Sequence, residues 1–217
     1  MRSGKDDLLL YAVTDRSWLK EQSLTLQTEK AIQAGATFIQ LREKNLGYEA
    51  FLAQARELQT LTSHYQVPMV INDNLEVALA CGADGVHIGQ KDRPAAEARR
   101  LLGSGKILGV SVQTVSQAIA AQESGADYLG VGAVFQTATK KDAAEVSYET
   151  LQAICGAVRI PVVAIGGIRK DNMMKLVGSG IAGVAVVSAI YAQPDIRLAT
   201  AELRRLAESV VYGRAGS

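Results

Sequence analysis

The chain has 217 residues, 48% of them hydrophobic, which is enough for one large domain with a true core and too much for a disordered chain. Lys and Arg number 23 against 22 Asp and Glu, a net charge of +1, so no global field calls for nucleic acid or membrane and any anion site must be local. The two cysteines, Cys81 and Cys155, lie far apart in apolar helical contexts, which argues against a disulfide framework and fits a reducing cytoplasm.

Residues 1–7 are polar and too short for a signal peptide. The longest apolar stretch, 181–192, is interrupted by Ser188 and is too short to span a bilayer. A soluble cytoplasmic protein is expected. Short apolar runs then alternate with amphipathic stretches. Strands are predicted at 8–13, 37–41, 69–72, 85–88, 107–111, 128–131, 162–165 and 183–187. Helices are predicted at 24–34, 48–65, 74–81, 94–101, 114–123, 148–158, 171–177 and 198–211. Nearly continuous apolar strands imply burial on both faces, as in a parallel sheet covered by helices.

A repeat runs through this pattern. Gly35-Ala36-Thr37, Gly82-Ala83-Asp84 and Gly125-Ala126-Asp127 each end a helix and open a strand, with Gly180-Ile181-Ala182 as a looser copy. The glycine suits a left-handed position after the helix. A two-unit period running four times predicts an α/β fold closed as a (β/α)8 TIM barrel, one domain over 1–217 with short flexible ends near 1–7 and 213–217. A doubly wound open sheet is the alternative. The connection 132–147 is long and basic at its centre, a sign of function in a compact domain.

In such a barrel the residues just after each strand converge on one mouth. Here they include Gln40, Arg42, Glu43, Lys44, Asn72, Asp73, Gln90, Lys91, Asp92, Ser111, Thr137, Thr139, Lys140, Lys141, Asp142, Gly166, Gly167, Val187 and Ser188. Two anion sites can be read from them. Gly166-Gly167 with Val187-Ser188 suits a phosphate, since glycine admits the anion to the backbone and Ser188 can open a short helix. Arg42, Lys44 and Lys140 face Asp73 and Asp92, a set that suits Mg²⁺ bridging a pyrophosphate. Each residue also has a plainer reading. Asp73 is as good a helix N-cap as a ligand; Lys91 and Asp92 read as a solvated loop; Arg42, Glu43 and Lys44 read as surface ion pairs; a lone glycine pair is weak evidence. Convergence on one end of one barrel favours the functional reading. His87 reads as a hydrogen-bonded core residue and His64 as an exposed one, so zinc and histidine acid–base chemistry are disfavoured. Trp18, in the first loop after a strand, either covers the mouth or packs on the surface.

The motifs Gln40-Leu41-Arg42-Glu43-Lys44, Ile71-Asn72-Asp73, Gly85-Val86-His87-Ile88-Gly89-Gln90-Lys91-Asp92, Leu108-Gly109-Val110-Ser111, Thr137-Ala138-Thr139-Lys140-Lys141-Asp142 and Ala164-Ile165-Gly166-Gly167-Ile168 strongly resemble the thiamine phosphate synthase family. The resemblance runs from about Leu9 to Tyr191. It implies a transferase that joins 4-amino-2-methyl-5-hydroxymethylpyrimidine pyrophosphate to a thiazole phosphate and releases pyrophosphate. It also implies two small phosphorylated substrates as partners and leaves room for a homo-oligomer. Gln40, Arg42, Lys44, Asn72, Ser111 and Lys140 would hold the pyrimidine pyrophosphate, with Arg42, Lys44, Ser111 and Lys140 serving catalysis. Asp73 and Asp92 would bind Mg²⁺. Thr137, Thr139, Gly167, Val187 and Ser188 would hold the thiazole phosphate. Three positions depart from the pattern: Ala133 and Gln136 stand where prolines are expected, and Gln113 where members often carry His. The lost prolines are expected to loosen the long loop.

Three rivals remain. A thiazole tautomerase-like isomerase would lack the Asp pair and carry a histidine near Ala133. A non-catalytic barrel binding thiamine precursors would lose Lys140 or a metal ligand. A generic phosphate-binding isomerase would have no use for a Mg²⁺-pyrophosphate site. The mouth is also expected to hold no Ser–His pair or other activated nucleophile. Dissociative substitution, with negative charge stabilised on the leaving pyrophosphate, is therefore the expected mechanism.

Overall fold

The computed structural model describes residues 5–19, 21–136 and 145–213. Eight strands form a closed, all-parallel barrel: β1 (Leu10–Val13), β2 (Phe38–Leu41), β3 (Met69–Asn72), β4 (Gly85–Ile88), β5 (Ile107–Val112), β6 (Tyr128–Val131), β7 (Val162–Ile165) and β8 (Gly183–Val186). β8 returns to pair with β1, Leu10 opposite Val184. This closure excludes the doubly wound sheet. The layer outside holds α1 (Leu24–Gln33), α2 (Tyr48–His64), α3 (Leu75–Cys81), α4 (Ala95–Leu102), α5 (Val115–Glu123), α6 (Tyr148–Ala157), α7 (Ser188–Tyr191) and α8 (Ile196–Tyr212). No described helix is long and apolar enough to cross a membrane.

Two elements differ from the sequence expectation. Leu8 lies in a 3₁₀ turn, Lys5–Leu8, rather than in β1. There it is fully buried, and its carbonyl passes so close to Gly183 that a Cβ on that glycine would sit 1.9 Å away. Between β7 and β8 the predicted helix contracts to a 3₁₀ turn, Met173–Leu176. Met173 and Leu176 are both buried and lie on one side of a three-residue turn. Gly178 and Gly180, at φ of 81° and 87°, end it.

The core has two parts. A large cluster lies between strands and helices, and Trp18 packs against it, which decides its placement in favour of packing. A smaller cluster fills the barrel interior: Leu8, Tyr11, Val13, Phe38, Val70, Ile107, Tyr128, Val163 and Ala185. Cys81 and Cys155 are half-buried thiols.

The repeat explains the lower end of the barrel. Gly35, Gly82, Gly125 and Gly180 all have positive φ, from 75° to 108°. The polar residue two places on accepts a backbone N–H from the first or second residue of the neighbouring strand. Thr37 Oγ1 accepts from Leu10 N at 2.9 Å, Asp84 Oδ2 from Met69 N at 2.8 Å, and Asp127 Oδ2 from Leu108 N at 2.8 Å. In the looser fourth copy this place is Ala182, which has no such acceptor. Arg99 adds a clamp, donating to Asp127 and to the carbonyls of Gly103, Lys106 and Gly125. Orphan donors that would otherwise be stranded at the strand starts are thereby satisfied.

Candidate active site

The upper end carries the predicted residues on two arcs. β2 to β5 present Gln40, Arg42, Lys44, Asn72, Asp73, Asp92 and Ser111, while β7 and β8 present Gly167, Val187 and Ser188. Thr137, Thr139 and Lys140, with Lys141 and Asp142, lie outside the described residues.

On the first arc, Gln40 is buried near the end of β2. Arg42 is half-buried; its backbone N–H donates to Thr14 Oγ1 at 3.1 Å and its guanidinium lies 3.5 Å from Asp15. Lys44 is exposed. Glu43 does form an ion pair, with Arg16 at 2.5 Å. Its side chain is almost out of water, and burial raises its carboxyl above the usual range against the opposing pull of Arg16.

Asn72, the last residue of β3, lies opposite His87. Asp73 follows at φ 63°, a left-handed backbone uncommon outside glycine but tolerated by Asp and Asn. Its N–H donates to the His87 carbonyl at 2.8 Å. The cap of α3 is Asn74, whose Oδ1 accepts from Val77 N, so the N-cap reading of Asp73 is set aside. Asp92 Oδ2 accepts from Gly89 N at 2.7 Å, which folds the loop after β4 back on itself. Two exposed carboxylates thus follow adjacent strands. The donor set fits Mg²⁺, which takes one or two carboxylates and completes its shell with phosphate oxygens and water.

Ser111 overturns one expectation. Its Oγ lies 2.8 Å from His87 Nε2, so a Ser–His pair does stand at the mouth. The other ring nitrogen, Nδ1, bonds to the Tyr128 hydroxyl at 2.8 Å, where an activated serine would have a carboxylate behind its histidine. Tyr128 in turn meets the Tyr11 hydroxyl at 2.8 Å, and Gln40 Nε2 donates to Tyr11 at 2.5 Å. Burial pushes both phenols above their ordinary values, so both stay protonated. Glycine makes the room. A Cβ on Gly109 would lie 2.2 Å from Tyr128 Cζ and 2.5 Å from His87 Nδ1, and one on Gly130 would lie 3.0 Å from the same imidazole. The linking role of Tyr11, Tyr128 and His87 escaped the sequence reading. The available signal was glycine inside two strands, which marks close approach.

On the second arc, Gly166 and Gly167 have φ of 100° and 67°. A Cβ on Gly167 would come within 2.4 Å of the Gln136 carbonyl and 2.6 Å of that of Phe135. Gly167 therefore also lets the loop after β6 pass, beyond its predicted phosphate role. Asn172, also missed, is buried and donates to the Gly167 carbonyl at 2.9 Å. Val187 (φ −116°, ψ −84°) leads into α7, which opens at Ser188 as predicted. The stems of the loop after β6 are tied down: Val134 N donates to Ile165 O, Phe135 N to Gly166 O, and Val146 N to Ala133 O. The Gly132–Ala133 peptide bond is cis, and Gln113 Nε2 reaches the Gly132 carbonyl at 3.3 Å. Where proline was expected at Ala133, backbone bonds hold the stem.

A closed, all-parallel barrel of eight strands with helices outside it defines the class of (β/α)8 barrels. Within that class the chain belongs to the thiamine monophosphate synthase family, whose description matches residues 10–190. It is 49% identical to the thiamine-phosphate synthase of Clostridium tetani over 94% of this chain and 97% of that protein. It is 50% identical to that of Ruminiclostridium cellulolyticum over 92% and 95%. Among solved structures, thiamine phosphate pyrophosphorylase from Pyrococcus furiosus superposes with a TM-score of 0.88 at 39% identity, covering 95% of this chain and 98% of that one.

Proposed function

We propose that this chain is a cytoplasmic transferase that condenses 4-amino-2-methyl-5-hydroxymethylpyrimidine pyrophosphate with a thiazole phosphate, carboxylated or not, to give thiamine phosphate and pyrophosphate. The observation that carries this reading is two exposed carboxylates after the adjacent strands β3 and β4, across the barrel from a glycine turn after β7, in a chain of this family. The half-buried thiols suit a reducing compartment.

Gln40, Asn72 and Ser111 hold the pyrimidine, and Arg42 and Lys44 hold its pyrophosphate, joined by Lys140. Asp73 and Asp92 would hold Mg²⁺, which would supply positive charge to stabilise the departing pyrophosphate. Thr137, Thr139, Gly167, Val187 and Ser188 hold the thiazole phosphate. The Arg42 backbone is fixed by its N–H bond to Thr14 and its guanidinium lies beside Asp15, so its charge is in place before the leaving group departs. Ser111 acts as a binding hydroxyl. The phenol behind His87 is neutral and stabilises an imidazolium far less than a carboxylate would. The electron-rich aminopyrimidine carries the positive charge left on its methylene carbon, and the thiazole nitrogen, held nearby, captures it.

The test is direct. The purified protein with both substrates and Mg²⁺ should form thiamine phosphate and pyrophosphate in equal amounts. Isomerisation of the thiazole alone would favour the tautomerase-like reading, and tight binding without turnover the non-catalytic one.

A further inference from the structure

The bonds from Gln40 through Tyr11, Tyr128 and His87 to Ser111 form one continuous chain, buried as far as His87 and half-buried at Ser111, each link between 2.5 and 2.8 Å. It crosses the barrel interior from β2 to β5, drawing on β1, β6 and β4. Each hydroxyl has one proton to give, and a neutral imidazole donates from one nitrogen and accepts at the other.

Such a chain has two self-consistent directions. If every link donates toward Ser111, the serine keeps its own proton for the mouth, and Gln40 keeps its amide oxygen and the second of its two N–H groups. If every link donates toward Gln40, the serine offers only lone pairs and Gln40 offers its amide protons. In both cases one end donates where the other accepts. The Gln40 Nε2 contact with Tyr11 corresponds to the first direction.

We propose that Tyr11, Tyr128 and His87 are positioning residues forming a relay that locks Gln40 and Ser111 into opposite hydrogen-bonding senses, so that the mouth reads the donor–acceptor edge of an N=C–NH₂ group. The inference rests on the reading that Gln40 and Ser111 face the pyrimidine. Gly109 and Gly130 belong to the same device, because side chains there would occupy the space of Tyr128 and His87.

Tyr128→Phe cuts the relay at its centre and keeps the ring that packs against Phe38 and Tyr11. In the full-length protein with Mg²⁺, kcat/KM for the pyrimidine pyrophosphate should fall about tenfold or more, the effect of one lost buried hydrogen bond. The KM for the thiazole phosphate should stay within about twofold. Adding Tyr128→Phe to Ser111→Ala should cost clearly less than the product of the two single losses, because part of the relay's effect passes through the serine. Tyr11→Phe cuts the chain at its other end and serves if Tyr128→Phe does not fold. Wild-type rates in these variants, equal losses for both substrates, or fully multiplicative losses with Ser111→Ala would overturn the relay. A wild-type protein that forms no thiamine phosphate would instead overturn the functional reading beneath it.

Discussion

The two ends of the barrel solve opposite problems. At the lower end, polar side chains are spent on the fold itself: Thr37, Asp84 and Asp127 each accept a backbone N–H near the start of a strand, and Arg99 gathers three carbonyls and a carboxylate. At the upper end, Asp73 and Asp92 stand exposed, one of them on a left-handed backbone, and Lys44 projects into solvent. The same residue type, aspartate, is a structural acceptor below and a candidate ligand above. Position on the barrel, rather than residue identity, separates the roles, as the fold's division into a stability face and a catalytic face requires.

The sharpest way to break this division is to remove charge without disturbing shape. Asp92→Asn keeps the acceptor for Gly89 N, and Asp73→Asn keeps a residue that tolerates its positive φ. Each should lower turnover by about 100-fold or more, as expected for loss of a metal ligand at a charged transition state. Melting should stay within about 1 kcal/mol of wild type, as for exposed positions. EDTA should abolish wild-type activity. A variant that melts early and still turns over would place these carboxylates with those of the lower end. Ser111→Ala comes next. A binding serine should cost about 10- to 100-fold in kcat/KM, whereas a covalent nucleophile costs far more, on the order of 10⁴-fold or above. The larger loss, or a trapped adduct on Ser111, would make the Ser–His pair the chemical centre.

The contrast also shows what was readable in the residues. Strand positions were legible almost to the residue because the short runs are nearly continuously apolar, and β2, β4 and β6 are each preceded by a copy of the Gly-Ala repeat. Leu8 misled because an apolar residue extends the pattern whether it continues a strand or, as here, plugs the barrel's lower end. The charged mouth was legible because strand ends converge in a barrel. The relay was not, because an apolar strand pattern does not tell a hydrogen-bonded phenol such as Tyr11 or Tyr128 from a merely packed aromatic ring. Its links join strands far apart in sequence, and glycine marks space without naming what fills it. Nor could composition reveal that Gly167 clears a path for the loop after β6.

The lower end supplies the converse experiment. Asp127→Ala removes an acceptor for Leu108 N and the carboxylate that Arg99 grips. The expected cost is about 2 kcal/mol, a drop in Tm of roughly 4–8 °C for a domain of this size. Under conditions where the variant is folded, kcat/KM for both substrates should stay within about twofold of wild type. A kinetic defect without a stability defect would mean that the two ends are coupled through the strands.

The smallest expected effect concerns a carboxylate that belongs to neither pattern. Glu43 sits at the mouth yet is nearly out of water and bonded to Arg16. Burial disfavours its charged form more than Arg16 favours it, so folding raises its pKa above the ordinary value of 4.5. A group raised in this way binds its proton more tightly in the folded state. Its contribution is therefore present below the ordinary value and is lost as pH rises through the raised one. Glu43→Gln removes the titration and keeps an acceptor for Arg16. The wild type should thus lose stability relative to Glu43→Gln as pH rises above the ordinary value of 4.5, measured as the difference in Tm between the two proteins at each pH. A wild-type advantage that grows over that range would mean that the bond to Arg16 outweighs burial. Glu43 would then be a structural acceptor like those at the opposite end.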